Sequence, residues 1–214
     1  AAALHRVNIE TLVCRFGGGP NQLADHHILA ISPWDEQAAF QSMMDTVAES
    51  TSVSASVAWQ LRPQSSGGLG QRMTAYFDDA FRKGCERVIL IGSDSPTIPA
   101  VVVEQAFADL RDHDVVIGPA DDGGYYLVGA RAKTPSIFEN IDWSSERVWQ
   151  QTVQRLDDQS LSWSTLPSGY DIDRLADLRR LSDELSLPGY ASPVWERLRE
   201  VTRQILTDTE SSRE

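Results

Sequence analysis

Short apolar runs alternate along the chain with stretches in which hydrophobic side chains recur at helical spacing. The clearest apolar runs predict strands at 28–31, 87–92 and 114–118, and the run at 87–92 suits a strand buried on both faces. Weaker strand patterns occupy 125–129 and 160–166, and a short strand over 52–59 could lead into 60–64. The amphipathic stretches predict helices over 1–14, 36–47, 71–83, 99–110, 147–156, 170–181 and 194–205. Strands that alternate with helices in this way predict an α/β sandwich with a mostly parallel sheet.

Length and charge restrict the class of protein. The chain has 214 residues, enough for one domain with a full hydrophobic core, and we predict that domain over 1–206 with a polar tail over 207–214. A net charge of −12 argues against a nucleic-acid partner. The sequence lacks an apolar run of the roughly 20 residues that span a membrane, and it lacks a signal-peptide pattern. Cys14 and Cys85 stand far apart and predict reduced thiols in a cytoplasmic protein.

Two acidic loops follow predicted strands. Asp94 comes directly after the strand at 87–92, and Asp121 and Asp122 come after the strand at 114–118, one helix further along the chain. In open α/β sheets ligands bind outside the carboxyl ends of the strands. The two loops therefore form the candidate active site.

Asp94 has two interpretations. The carboxylate could cap a turn, or it could bind Mg²⁺ or Mn²⁺, which prefer oxygen ligands. A metal site needs further carboxylates, and the best candidates are Asp171 and Asp173 at the predicted start of a helix. Their alternative role is to cap that helix and to interact favourably with its dipole.

The segment from Asp121 to Tyr126 favours ligand binding over a plain turn. A turn uses Asp-Gly but has little need for a second glycine and two aromatic residues. The amides of Gly123 and Gly124 could meet sugar hydroxyls or phosphate, Asp122 could act as a base, and Tyr125 or Tyr126 could offer a stacking face. A glycine-rich loop at 67–70 precedes a predicted helix that contains Arg72, which is a weaker indication of an anion site.

These motifs together resemble a known family. The segments that carry the resemblance are 92–96, 118–129, 142–148 and 170–173, with 68–72 in support. They are similar to a bacterial family of GT-A-type glycosyltransferases associated with arsenosugar biosynthesis and radical-SAM enzymes, within the nucleotide-diphospho-sugar transferase superfamily. The resemblance covers nearly the whole chain, and the Asp-Gly-Gly-Tyr-Tyr run is its most specific part.

The resemblance implies a Rossmann-like GT-A three-layer sandwich with a mostly parallel mixed sheet. It implies that Asp94 holds a divalent cation, Mg²⁺ or Mn²⁺, with Asp171 or Asp173. It places Asp122 to Tyr126 at the sugar or acceptor pocket, and it implies a nucleotide sugar and a small-molecule acceptor as substrates. The family begins with a strand and a Lys-Thr-Arg-Leu loop that binds the nucleotide phosphates. This sequence starts in the helix after that loop, so the expected sheet is without its first strand.

Three functions are consistent with the sequence. The first is a metal-dependent glycosyltransferase, which the whole-chain resemblance favours. The second is a nucleotidyltransferase acting on a phosphorylated small molecule, which would release pyrophosphate. The third is a non-catalytic relative that binds a nucleotide or a protein. The sequence identifies neither the donor nor the oligomeric state.

Overall fold

The computed structural model describes residues 2–17, 23–51, 59–131 and 136–211. Its α-helices are α1 Ala2–Phe16, α2 Gln37–Thr51, α3 Leu69–Arg82, α4 Ala100–Asp109, α5 Val148–Asp158, α6 Leu175–Glu184 and α7 Glu196–Ser211. Its strands are β1 His27–Ile31, β2 Trp59–Pro63, β3 Arg87–Ile91, β4 Val115–Pro119, β5 Tyr125–Arg131 and β6 Trp163–Thr165. A strand was predicted over 52–59. The observed strand β2 begins at Trp59, the last of those residues, and residues 52–58 lie outside the described residues.

The chain divides into two compact units. The first unit contains Ala1–Arg62, Ser93–Pro96 and Ile172–Glu214, and the second contains Pro63–Gly92 and Thr97–Asp171. Strands β1 and β2 form a two-stranded sheet, and the other strands form a four-stranded sheet in the order β3-β5-β4-β6.

The four-stranded sheet is mixed. Strand β5 is antiparallel to both β3 and β4, and β6 is parallel to β4. Strands β3, β4 and β6 therefore share one direction, with β5 reversed between β3 and β4. The reversal follows from connection length, because only residues 120–124 separate β4 from β5 and a parallel pair needs a longer crossover. This confirms the mixed α/β sheet that the resemblance implied.

Both faces of this sheet are covered by helices. One face packs Val115, Ile117 and Val128 against Phe77 of α3 and Leu156 of α5. The alternate residues point to the opposite face, where α4 packs on β3 and β4. A Cβ on Gly129 would lie 2.8 Å from the Val116 side chain and 3.1 Å from that of Leu110, so a glycine is needed for this close packing. The second unit is thus a three-layer sandwich.

Helix α1 is buried on more than one side within the first unit. Val7 packs with Leu181 of α6 and Leu198 of α7. Ile9 and Val13 pack in a separate cluster with residues of α2, β1 and β2. The helix is therefore a central element of this unit. Among the described residues, no helix is both long and apolar enough to cross a bilayer.

Two of the predicted helix boundaries that differ from the structure have a physical explanation. The helix expected from Tyr170 begins at Leu175, because the carboxylate of Asp177 accepts the amides of Arg174 (2.8 Å) and Asp173 (3.3 Å) and so satisfies the helix start. Helix α7 continues to Ser211, five residues into the predicted polar tail. There, Thr209 Oγ1 donates to Ile205 O (2.7 Å) and Ser211 Oγ donates to Thr207 O (3.0 Å).

The Asp114 side chain connects the ends of three strands in the second unit. Asp114 precedes β4, Ser162 precedes β6, and Arg131 ends β5. Its Oδ2 accepts hydrogen bonds from Ser162 Oγ (2.7 Å) and Ser162 N (3.0 Å), and its Oδ1 faces Arg131 Nε at 3.3 Å. The hydrogen bonds from Ser162, with a contribution from Arg131, hold the pKa of the Asp114 carboxyl below its ordinary value. The charged carboxylate is therefore stabilised in the folded state.

We predict that Asp114→Asn lowers the free energy of unfolding by about 1 kcal/mol at neutral pH, since the group is partly exposed. Because the folded-state pKa is lowered, this stabilisation is present above the unfolded-state pKa of about 4 and is lost as the pH falls through the folded-state pKa. Urea denaturation at several pH values measures it. The exposed neighbour Asp112 provides the control, and an equal loss from Asp112→Asn would contradict the assignment.

Candidate functional site

The first unit carries Asp94 and Asp173, two of the three predicted metal ligands. Asp94 lies in the segment Ser93–Pro96, which follows β3 in the chain, and it is half-buried. The carbonyl oxygen of Asp94 accepts a hydrogen bond from the amide of Ile172 at 3.1 Å. Asp173 is the next residue after Ile172, so this bond brings its backbone close to that of Asp94. Its side chain is exposed. Asp171, which precedes Ile172 in the chain, is half-buried and belongs to the second unit.

The chemistry of these carboxylates suits a hard divalent cation. Mg²⁺ in proteins is bound through one or two carboxylates, with substrate phosphates and water completing its coordination. Within the described ranges, no group of three or more His, Cys, Asp and Glu side chains is placed to hold a metal ion. The three aspartates are therefore not a preassembled cage, and metal binding stays a prediction that needs phosphate oxygens as further ligands.

The second unit carries the turn from Ala120 to Gly124, which connects β4 to β5. Gly123 N donates to Ala120 O and Ala120 N donates to Gly124 O, each at 3.1 Å. Gly124 N donates to Asp122 Oδ1 at 2.8 Å. Both glycine amides are thus bonded within the turn, where the sequence had predicted that they could meet a sugar or a phosphate. Asp122 remains exposed, with Oδ2 as its other carboxylate oxygen.

Asp121 is exposed on the same turn and is held from the segment after β6. Its amide donates to Gly169 O at 3.0 Å, and its Oδ1 accepts from Ser168 Oγ at 2.9 Å. Asp121 and Asp122 therefore present two neighbouring carboxylates on a turn whose backbone is fixed from both sides.

The segment from Asp142 to Val148 packs against this turn. This segment was not predicted from the sequence to be part of the site. Gly123 has a φ of +91°. A Cβ there would lie 2.5 Å from the Glu146 carbonyl oxygen. Trp149 N also donates to Gly123 O at 2.8 Å. The signal in the sequence was the Asp-Trp-Ser-Ser-Glu-Arg-Val motif, which contributed to the resemblance but had no assigned position.

The stacking role predicted for Tyr126 does not fit the structure. Its ring is 4% exposed, and its hydroxyl donates to Pro167 O at 2.8 Å. Cβ atoms on Gly118 and Gly169 would lie 2.4 Å and 2.7 Å from the ring, so the two glycines make room for it. Tyr126 is therefore a packing residue that joins β4 to the segment after β6.

Tyr125 is also largely internal. Its ring meets Trp143 edge-on at 6.2 Å between centroids and packs against the core of the second unit. Its hydroxyl oxygen is buried without a hydrogen-bond partner among the described residues, as is that of Thr152. Burial raises the pKa of Tyr125 above its ordinary value, although the neighbouring Thr152 hydroxyl lowers it in part. Tyr125 is nevertheless only half-buried, and a substrate-binding role for it stays a prediction.

Arg72 organises the loop before α3. Its Nε donates to Gly67 O and its Nη1 to Gln64 Oε1, each at 2.9 Å. Gly68 N donates to Gln71 Oε1 at 3.0 Å. The two bonds from Arg72 therefore stabilise the conformation of this loop. Substrate binding by Arg72 stays a prediction.

Comparison with known proteins supports the fold. The chain is 30% identical to a "putative nucleotide-diphospho-sugar transferase" of Desulfovibrio desulfuricans G20, whose crystal structure matches with a TM-score of 0.77 over 95% of this chain and 85% of that one. A cytidylyltransferase of Leptospira borgpetersenii is 10% identical, with a TM-score of 0.50 over 95% of this chain and 84% of that one. No curated protein matches this chain.

The mixed sheet between helical layers, with acidic turns after its strands, defines a Rossmann-like fold of the nucleotide-diphospho-sugar transferase type. Residues 22–145 match the family model described as "Uncharacterized protein conserved in bacteria (DUF2064)". The chain belongs to this family.

We predict that Gly123→Ala destabilises the protein by about 1–3 kcal/mol, because alanine would need a positive φ and would press its Cβ on the Glu146 backbone. Chemical denaturation measures the loss. Gly124→Ala is the matched control, since its Cβ would meet only the Asp122 carboxylate, whose nearest atom, Oδ1, would lie at 3.2 Å. If both substitutions cost the same, the steric explanation of Gly123 is wrong.

The two tyrosines should respond differently to loss of the hydroxyl. We expect Tyr126→Phe to cost about 1 kcal/mol, because Pro167 O loses its donor, whereas Tyr125→Phe should cost less, because its buried hydroxyl lies near the Thr152 hydroxyl without a hydrogen bond of good geometry. Thermal and urea unfolding of the pair measure this difference. A cost for Tyr125→Phe equal to that of Tyr126→Phe would show that the Tyr125 hydroxyl has a partner in solution.

Proposed function

We propose that this protein is a metal-dependent glycosyltransferase that moves a sugar from a nucleotide-sugar donor to a small-molecule acceptor. The observation that carries the proposal is the hydrogen bond from Ile172 N to Asp94 O, which holds the segment containing Asp173 against the Asp94 loop. The likeness to the Desulfovibrio protein, at 30% identity over 95% of this chain, supports the same reaction class.

Asp94 and Asp173 are the proposed metal ligands, with Asp171 as the third candidate. Two carboxylates are enough for Mg²⁺ or Mn²⁺ when the donor's diphosphate supplies further oxygens. A divalent cation at these residues would neutralise the negative charge that develops on the departing nucleoside diphosphate. The proposal thus gives these carboxylates a role in metal binding. It does not require a metal site that is complete before the substrate binds.

Asp122 is the proposed general base. Its Oδ1 is anchored by Gly124 N at 2.8 Å, which orients the carboxylate on the exposed turn. In the proposed reaction, an acceptor hydroxyl oxygen bonds to the sugar C1 carbon while the bond from C1 to the diphosphate oxygen breaks. The hydroxyl proton passes to Asp122, and the bonding electron pair leaves with the diphosphate. Proton removal by a positioned carboxylate contributes about 10²–10⁴-fold to such reactions.

Two further predicted residues, Asp121 and Arg72, bind substrate in this proposal. Asp121 accepts from sugar or acceptor hydroxyls, and Arg72 binds phosphate oxygens. Gly123 and Gly124 contribute by fixing the turn that presents Asp122. The acceptor is a small molecule of the kind handled by the arsenosugar-associated family that the motifs resemble.

The proposal is tested by calorimetric titration of UDP, GDP and their sugar conjugates with and without Mn²⁺. We expect metal-dependent binding that Asp94→Asn weakens by at least about tenfold, as loss of a metal ligand requires. We expect Asp122→Asn to keep this affinity, because the asparagine oxygen can still accept from Gly124 N. It should reduce turnover of the nucleotide sugar by about 10²-fold or more.

Asp183→Asn on the exposed face of α6 is the control and should change neither property. Metal-independent binding, or full affinity in Asp94→Asn, would contradict the assigned metal site. Release of pyrophosphate from a nucleoside triphosphate would instead identify a nucleotidyltransferase.

A further inference from the structure

Helix α1 reaches the loop that carries Asp94 through a charged side chain. Arg15, in its last turn, donates from Nη1 to Pro96 O at 2.6 Å. Pro96 closes the segment Ser93–Pro96, so this bond fixes the backbone two residues from Asp94. A hydrogen bond from a charged donor is stronger than one between neutral groups.

The Arg15 guanidinium is itself held in place. Its Cζ lies 4.5 Å from the centroid of the Trp195 ring and 5.0 Å from that of Phe16. The Trp195 ring is 7% exposed and packs edge-on against Tyr190, with 4.7 Å between centroids. A guanidinium stacked on aromatic rings has few rotamers available, so its N–H groups keep one direction. Position and orientation of the donor are thus set before any ligand arrives.

Burial lowers the pKa of Arg15 to about 10, while Tyr190 and Glu184 oppose this shift. Arg15 therefore keeps its charge at neutral pH. A buried charge needs compensating hydrogen bonds, and the Pro96 carbonyl supplies one of them.

A second residue of α1 contacts the other end of the same loop. His5 Nε2 lies 3.2 Å from Ser93 Oγ, an exposed contact. The loop is therefore bonded to α1 at Ser93 and at Pro96, and to Ile172 through the carbonyl of Asp94 between them. Of the two contacts from α1, the one from Arg15 is the better shielded from water.

We propose that Arg15 is a positioning residue. It holds the Ser93–Pro96 loop in place, so that Asp94 keeps its backbone hydrogen bond from the Ile172 amide and its carboxylate keeps its position. This inference rests on the proposed function for the role of Asp94 in metal binding. Arg15 does not contact the substrate in this proposal. It acts through the Pro96 carbonyl, and the aromatic side chain of Trp195 fixes its direction.

The experiment compares wild-type protein with Arg15→Met, Arg15→Lys and Arg6→Met in two measurements. Hydrogen exchange of the Ile172 amide, followed in the full chain, reports whether the loop is held. Calorimetric titration of UDP with Mn²⁺ reports binding at the site. Arg6→Met is the matched control, because Arg6 is exposed on the same helix and pairs only locally with Glu10 at 2.9 Å in the described structure.

In Arg15→Met we expect exchange at Ile172 to accelerate by about tenfold or more and metal-dependent UDP affinity to fall by at least about tenfold, since small displacements of positioned groups are costly. The amides of Val115 to Ile117 should keep wild-type exchange, which separates a local effect from general destabilisation. Arg15→Lys should fall between wild type and Arg15→Met, because it keeps the charge but not the planar fork. Arg6→Met should match wild type.

Unchanged exchange at Ile172 in Arg15→Met would overturn the proposal, as would faster exchange with wild-type metal-dependent affinity. Equal acceleration at Val115 to Ile117 would also overturn it, because Arg15 would then serve general stability. Absence of metal-dependent binding in the wild-type protein overturns the proposed function instead, and exchange at Ile172 still decides whether Arg15 holds the loop.

Discussion

A backbone hydrogen bond from Ile172 to Asp94 is the interaction on which the account of the first unit depends. It joins two segments that lie far apart in the sequence, and each of them carries a predicted metal ligand. Backbone bonds of this kind do not depend on side-chain identity, so this one fixes the backbone position from which the Asp94 carboxylate extends. Phosphate oxygens can then complete the coordination of a hard cation. The same bond explains why a loop between a strand and a helix can have a defined geometry.

The second unit depends on steric constraint. Its turn after β4 is tight because Gly123 lies against the Glu146 backbone, and β4 is joined to the segment after β6 because Gly118 and Gly169 admit the Tyr126 ring. These contacts keep Asp121 and Asp122 exposed on a rigid support. A site built on such a support has its geometry fixed before substrate binds.

The strands β3 and β4 could be predicted because short, apolar, β-branched runs are typical of strands that have helices on both faces of their sheet. The start of α6 could not, since Asp171 and Asp173 have the composition of a helix cap while Asp177 satisfies the amides there. The Gly-Gly-Tyr-Tyr run was correctly identified as unusual for a turn. Its explanation nevertheless differs in part, because Glu146 and Gly169 are distant in sequence from this run and one sequence does not reveal such contacts. The five site aspartates were selected by motif and position in the chain, and their roles stay predictions.

The most direct test of the account is a crystal structure of the chain grown with Mn²⁺ and UDP, with anomalous scattering used to locate the metal. The account predicts a manganese peak about 2 Å from a carboxylate oxygen of Asp94, shared with Asp173 or Asp171 and with the diphosphate. A bound nucleotide with manganese at other side chains, or with none at Asp94, would contradict it.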